Sequence, residues 1–182
     1  GQVGLVDDQQ VRTRDSGAAF SGDLVAGADI DDVNGDVGQF RQRHAAFLAA
    51  GQREDGGFAG RQGQSDLYYT GFALRGLTLL GALTEEEAER AASFLESNLP
   101  QDLAPVDFLS LVFSSVLLEV SYGLDVFERA GLDRQAVIRD RLEPLRRDDG
   151  GFAKTPKSGR SSTYQTFLSV TCLQLIGTEI EE

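Results

Sequence analysis

The pentapeptide Asp55-Gly56-Gly57-Phe58-Ala59 returns unchanged as Asp149-Gly150-Gly151-Phe152-Ala153, 94 positions further along the chain. Such a repeat restricts what 182 residues can become, because each copy must build the same supersecondary unit and bury its apolar side against a neighbour. Half the separation, about 47 residues, is the length of two helices with their loops, so a degenerate copy is expected between the two. The stretch Leu99-Pro100-Gln101-Asp102-Leu103-Ala104-Pro105-Val106-Asp107 answers to it: its prolines break one helix and start another without the paired glycines.

Helical periodicity places an outer helix before each Gly-Gly-Phe, over Ala45 to Glu54 and over Arg134 to Asp148. After each polar loop, Leu67 to Leu74 and Thr163 to Val170 stay apolar on most sides, which predicts inner helices buried nearly all round. Thr84 and Glu87 form a capping box ahead of Ala88 to Asn98. Asp107 is the expected N-cap of an apolar helix over Phe108 to Tyr122, and Gly131 and Asp133 mark the next stop and start. The expected fold is all-α, an array of about three to four helical hairpins over residues 37–182. Residues 1–36, rich in Asp, Gly and Gln, read as an irregular acidic arm.

The formal charge of −12 and a pI near 4.5 argue against nucleic acid as a partner, since phosphate contacts need Lys and Arg gathered on one face. One cysteine, Cys172, excludes an internal disulfide and favours a cytoplasmic chain. The sequence opens without a charged and apolar leader, and no stretch reads as approaching the roughly 18 apolar residues of a membrane helix, so no membrane span is expected. The absence of methionine suggests a processed or tagged product, or a segment of something longer.

Gly56-Gly57-Phe58-Ala59-Gly60-Arg61 followed by Asp66-Leu67-Tyr68-Tyr69-Thr70, and again Gly150-Gly151-Phe152 with Tyr164-Gln165-Thr166, resembles the prenyltransferase and squalene-oxidase repeat. That repeat is carried by protein prenyltransferase β-subunits and by squalene and terpene cyclases. The resemblance covers about residues 40–177 and implies an α/α toroid whose central funnel holds an isoprenoid. This chain has hairpins for a partial ring, which a homodimer or a partner subunit would complete. The resemblance further implies a prenyltransferase-like transferase acting on, or binding, an isoprenoid diphosphate. Arg61 and Tyr69 stand where the family binds diphosphate, while the companion lysine position falls near Gln64. Of the family's zinc ligands only the aspartate is present, as Asp66; Tyr68 and Gln165 occupy the cysteine and histidine positions. Zinc is therefore not expected, no cofactor is predicted, and magnesium would arrive only with the diphosphate.

The residues themselves add a local observation. Both lysines of the chain, Lys154 and Lys157, and Arg160 fall in the second loop, with Arg53 and Arg61 flanking the first. Inner-helix N-termini beside positive side chains suit an anion. The candidate ligand-binding residues are thus Arg61, Tyr68, Tyr69, Lys154, Lys157, Arg160 and Tyr164, and the candidate catalytic residues are Asp31 and Asp66. Asp31 enters because Asp29-Ile30-Asp31-Asp32 matches the Asp-x-Asp-Asp signature of class II terpene cyclases, whose middle aspartic acid protonates an alkene. Asp32, Asn34 and Asp36 resemble half of a calcium loop, but Val37 and Arg43 replace its glycine and closing carboxylate. His44 and Cys172 read as structural. A non-catalytic helical scaffold for protein partners remains the alternative to an isoprenoid site.

Overall fold

A computed structural model describes residues 30–177, with side chains from Asp36 onward. Two compact units divide the chain, residues 1–37 and 38–182, and apart from the start of the first helix everything below concerns the second. Among the described residues the protein is all-α: α1 (Ile30–Ala49), α2 (Leu67–Leu79), α3 (Glu85–Asn98), α4 (Pro105–Tyr122), the single turn α5 (Val126–Arg129), α6 (Arg134–Leu142) and α7 (Thr163–Leu175). No strand occurs among them.

Short polar side chains start most of these helices. Asp66, Thr84, Asp125, Asp133 and Ser162 each accept a hydrogen bond from the first turn they precede, and Thr84 with Glu87 completes the expected capping box. Helix α4 is different. It begins at Pro105, two residues before the expected Asp107, and its N-cap Ala104 offers no side-chain bond. Proline at the first helical position has φ set for a helix and has no N–H to satisfy, so the helix nucleates there and Asp107 falls inside its first turn.

Helices α2, α4 and α7 pack side by side with α4 in the middle; α3 lies against α4 and α5, and α6 against α7. Leu74, Leu77, Leu95, Leu111, Leu118, Phe127 and Ile138 are fully buried between these layers. The approach of α2 to α4 is close at Gly71, where a Cβ would sit 3.3 Å from Ser114 Oγ. Burial and, after it, the nearby carboxylate of Asp66 at the start of α2 push the Asp107 carboxyl at the start of α4 up; with Gly71 against Ser110 and Ser114, the two inner helices run in the same direction.

Four expectations change. The chain is helical from Ile30, so the irregular arm does not extend to residue 36; residues 1–29 lie outside the described residues. The outer helix before the first Gly-Gly-Phe is the end of this longer α1, which stops at Ala49, and its counterpart stops at Leu142 before a 3-10 turn, Glu143–Leu145. Pro144, lacking an N–H, ends the α-helical ladder there. The inner helices are not buried all round: Tyr68, Phe72, Leu79, Val120, Tyr164 and Phe167 are exposed on α2, α4 and α7. Finally, α4 spans 18 residues and is apolar enough to cross a membrane by length and composition, which the sequence reading did not anticipate. Ser110, Ser114 and Ser115 interrupt it on paper, but each hydroxyl donates to the carbonyl four residues back, so the polar atoms are absorbed by the helix itself. Its contacts with α2, α3, α5 and α7 make it the central helix of the domain.

Candidate functional site

The duplicated pentapeptide folds into two copies of one loop, residues 52–66 and 146–162. In each, an antiparallel bridge pairs the loop's entry with its phenylalanine, Gln52 with Phe58 and Arg146 with Phe152. Arg53 N–H donates to Gly57 O at 2.8 Å and Arg147 N–H to Gly151 O at 2.9 Å. The first aspartate of each copy accepts from a glycine N–H and a serine hydroxyl: Asp55 from Gly57 and Ser65, Asp149 from Gly151 and Ser161. These bonds, the Ser161 hydroxyl first, hold the Asp149 carboxyl below its ordinary range. The buried Phe58 and Phe152 then send their N–H groups to Thr70 Oγ1 and Thr166 Oγ1 in the first turn of the following inner helix, at 2.8 and 2.9 Å. Each loop is thereby tied to the start of its helix. The glycines are architectural: Gly56 has a φ of +89°, and a Cβ on it would lie 2.0 Å from Arg90 O.

Both loops sit at the start of their inner helices, and the start of α4 lies beside each of them. Asp66 neighbours Asp107 on one side. On the other, Ala104 and Pro105 share a cleft with Lys154, Thr155 and Pro156 of the second loop. That cleft, about 620 Å³, is also lined by Val137, Arg141 and Leu145. A second, more polar cleft of about 660 Å³ lies in the first loop, between Arg53 to Asp55 and Gly63 to Ser65.

The predicted ligand-binding residues fall into two groups. Arg61, Lys154, Lys157 and Arg160 are exposed loop side chains without an ion pair among the described residues. Tyr68, Tyr69 and Tyr164 are exposed on the first turns of α2 and α7. Tyr68 stacks edge-on with Tyr69 and Phe72, at 5.8 and 4.7 Å between ring centres, and Arg75 lies over the Phe72 ring. Tyr69 also covers Gly60, where a Cβ would come within 2.9 Å of its ring. Lys154 lines the cleft beside Pro105, whereas the three tyrosines are exposed on their helices.

Asp66 is committed as the N-cap of α2, accepting from Tyr69 N–H at 3.0 Å. Gln165, in the family's histidine position, is buried on α7, apart from the exposed Tyr68 in the cysteine position. A zinc ion does not fit this set, which offers one carboxylate already in use and neither thiolate nor imidazole. Asp31 lies in the first turn of α1 and Asp29 outside the described residues. Asp32, Asn34 and Asp36 lie within helix α1 and not in a loop of the calcium-binding kind. Burial pushes the Cys172 thiol up to about 12, so it is no nucleophile.

Sequence reasoning missed Arg147. Its guanidinium donates to the carbonyls of Thr155, Pro156 and Ser158 at 2.8–3.0 Å and reaches Pro144 and Arg146 as well, stapling the second loop from beneath. The only signal was its place in the repeat, opposite Arg53. It also missed Gln165 Oε1 and Ser169 Oγ, buried on α7 without a hydrogen-bond partner. The chain matches no protein-family model, and neither a curated protein nor a solved structure matches it.

Proposed function

We propose that the domain is a prenyltransferase-like partial α/α ring that binds an isoprenoid diphosphate without zinc. The observation that supports this most is the set of exposed aromatic side chains near the starts of two inner helices, Tyr68 and Phe72 on α2 and Tyr164 and Phe167 on α7, each following a loop that carries unpaired cations. An isoprenoid tail suits the first and a diphosphate, with its magnesium, suits the second. In this reading the three inner helices form part of a ring, which further hairpins from a second copy or a partner subunit would close. A cytoplasmic location accords with a single, buried thiol.

The test is calorimetric titration with farnesyl or geranylgeranyl diphosphate in magnesium-containing buffer. Saturable binding is expected, weakened about tenfold by Phe72→Ser or Phe167→Ser, the loss of one buried aromatic contact. Both rings are exposed, so the fold tolerates the change. No heat with either ligand overturns the reading.

The exposure of these aromatic side chains favours a second reading, a non-catalytic scaffold that binds protein through them. Under it, the same variants abolish association with a partner or a second copy in sedimentation, and isoprenoid diphosphates have no effect.

A further inference from the structure

The two copies of the loop share their backbone bonds and differ in everything a ligand would meet. Between Phe58 and Asp66 the first loop takes 8 steps, and between Phe152 and Ser162 the second takes 10, so the second is longer by two residues. The first carries Arg53 and Arg61 against Glu54, Asp55 and Asp66; the second carries Arg146, Arg147, Lys154, Lys157 and Arg160 against Asp148 and Asp149. Asp149, like Asp55 in the first loop, is occupied by a glycine N–H and a serine hydroxyl, so the aspartates do not distinguish the copies. On a chain with a formal charge of −12, the second loop is a local reversal of sign, and such reversals draw anions from solution.

Order distinguishes them further. Three loop carbonyls, of Thr155, Pro156 and Ser158, are gathered onto one guanidinium, and Thr155 Oγ1 and Ser158 Oγ hydrogen-bond at 2.9 Å. The equivalent Arg53 makes no such bonds among the described residues; there it is the carbonyl of Arg53 that accepts, from Arg90. A planar fork fixes a loop where a lysine would tether it at one point. Ordering a loop before binding removes that entropy cost from the binding step.

We propose that the second loop is the diphosphate-binding element of this domain, with Lys154, Lys157 and Arg160 as the ligands of the phosphate oxygens and Arg147 as the positioning residue beneath them. The first loop, with Arg61 and Tyr69, is then the vestigial copy: its net charge is negative, and Tyr69 is packed over Gly60. This inference rests on the isoprenoid-diphosphate reading for the identity of the tail and on the loop alone for the head group.

The experiment titrates the whole chain with inorganic pyrophosphate, farnesyl diphosphate and farnesol, each with magnesium and at several salt concentrations. Lys157→Gln is expected to lower the affinity for both phosphorylated ligands about tenfold and to flatten its salt dependence, since one charge contact is lost. Arg147→Lys keeps the charge and removes the fork. It should lower affinity to a similar degree while leaving the salt dependence of the wild type, a combination that a change in stability alone does not produce. Arg61→Gln is expected to lower affinity less than Lys157→Gln does. Loss of binding in Arg61→Gln with Lys157→Gln unaffected overturns the assignment and leaves the isoprenoid reading standing. Equal affinity for pyrophosphate and farnesyl diphosphate, with none for farnesol, keeps the assignment and removes the isoprenoid. Absence of binding by either phosphorylated ligand ends both.

Discussion

Gly56 and Gly150 share a sequence, a left-handed backbone and a set of hydrogen bonds, yet they bear different loads. Their φ values are +89° and +80°, so a side chain at either is strained. At Gly56 a Cβ would also meet the backbone of Arg90 at 2.0 Å, whereas nothing lies within 4 Å of Gly150. Gly150→Ala should therefore cost about 1 kcal/mol, the price of the backbone conformation, and Gly56→Ala about 2–4 kcal/mol because α3 must shift as well. Urea unfolding of the two variants measures the difference, and equal losses would contradict the packing of the first loop on α3. The repeat made both glycines visible in the sequence. It could not show that α3 crosses one of them only, because that contact is made by Arg90, 34 positions from Gly56 and outside either motif.

Of the α-helices from α2 to α7, α4 is the one whose start has no side-chain cap. Ala104 adopts the extended backbone of an N-cap, with φ −61° and ψ 150°, but has no oxygen to offer the first turn. Ala104→Ser supplies one and should raise stability by about 1 kcal/mol, or about 2–4 °C in melting midpoint for a domain of this size. Thermal unfolding followed by circular dichroism reads it directly; no gain would mean that the α4 start is already satisfied by another group. The elements were legible wherever local chemistry decides them. The capping box at Thr84, the Asp133 start of α6 and the Gly-Gly-Phe turns all follow from bonds within a few residues. The α4 start was misplaced because two local signals competed, Pro105 and Asp107, and the proline acts two residues earlier. The start of α1 was missed because Ile30 to Val37 is polar and carries Gly35, without the apolar period that marks a helix.

Across the molecule, the hairpins are tied at their far ends by charge. Arg134 at the start of α6 reaches Glu119 of α4 and Asp125, the cap of α5. Burial opposes the charge on Asp125, but hydrogen bonds from Glu128 and Phe127 N–H and from Arg134 outweigh it and hold the carboxyl below 3.8. A carboxyl whose pKa is depressed on folding contributes stability above its unfolded pKa and loses it as the pH falls through the folded value. Asp125→Asn keeps a competent N-cap and removes the charge. Its melting midpoint should lie about 1–2 °C below the wild type at pH 7, as for one partly exposed ion pair. The gap should close below pH 3.8; a gap independent of pH would assign the loss to capping instead. Sequence alone carried the all-α class, the duplicated unit, the helix caps and the concentration of positive charge in the second loop, because each depends on residues close together in the chain. Tertiary structure alone decided that aromatic residues of the inner helices stand exposed, that Arg147 staples one loop while its twin is held by Gln52 and Arg90 instead, and that an apolar 18-residue helix lies at the domain's centre. Burial and long-range pairing depend on which surfaces meet, and periodicity states only that a helix has an apolar side, not what covers it.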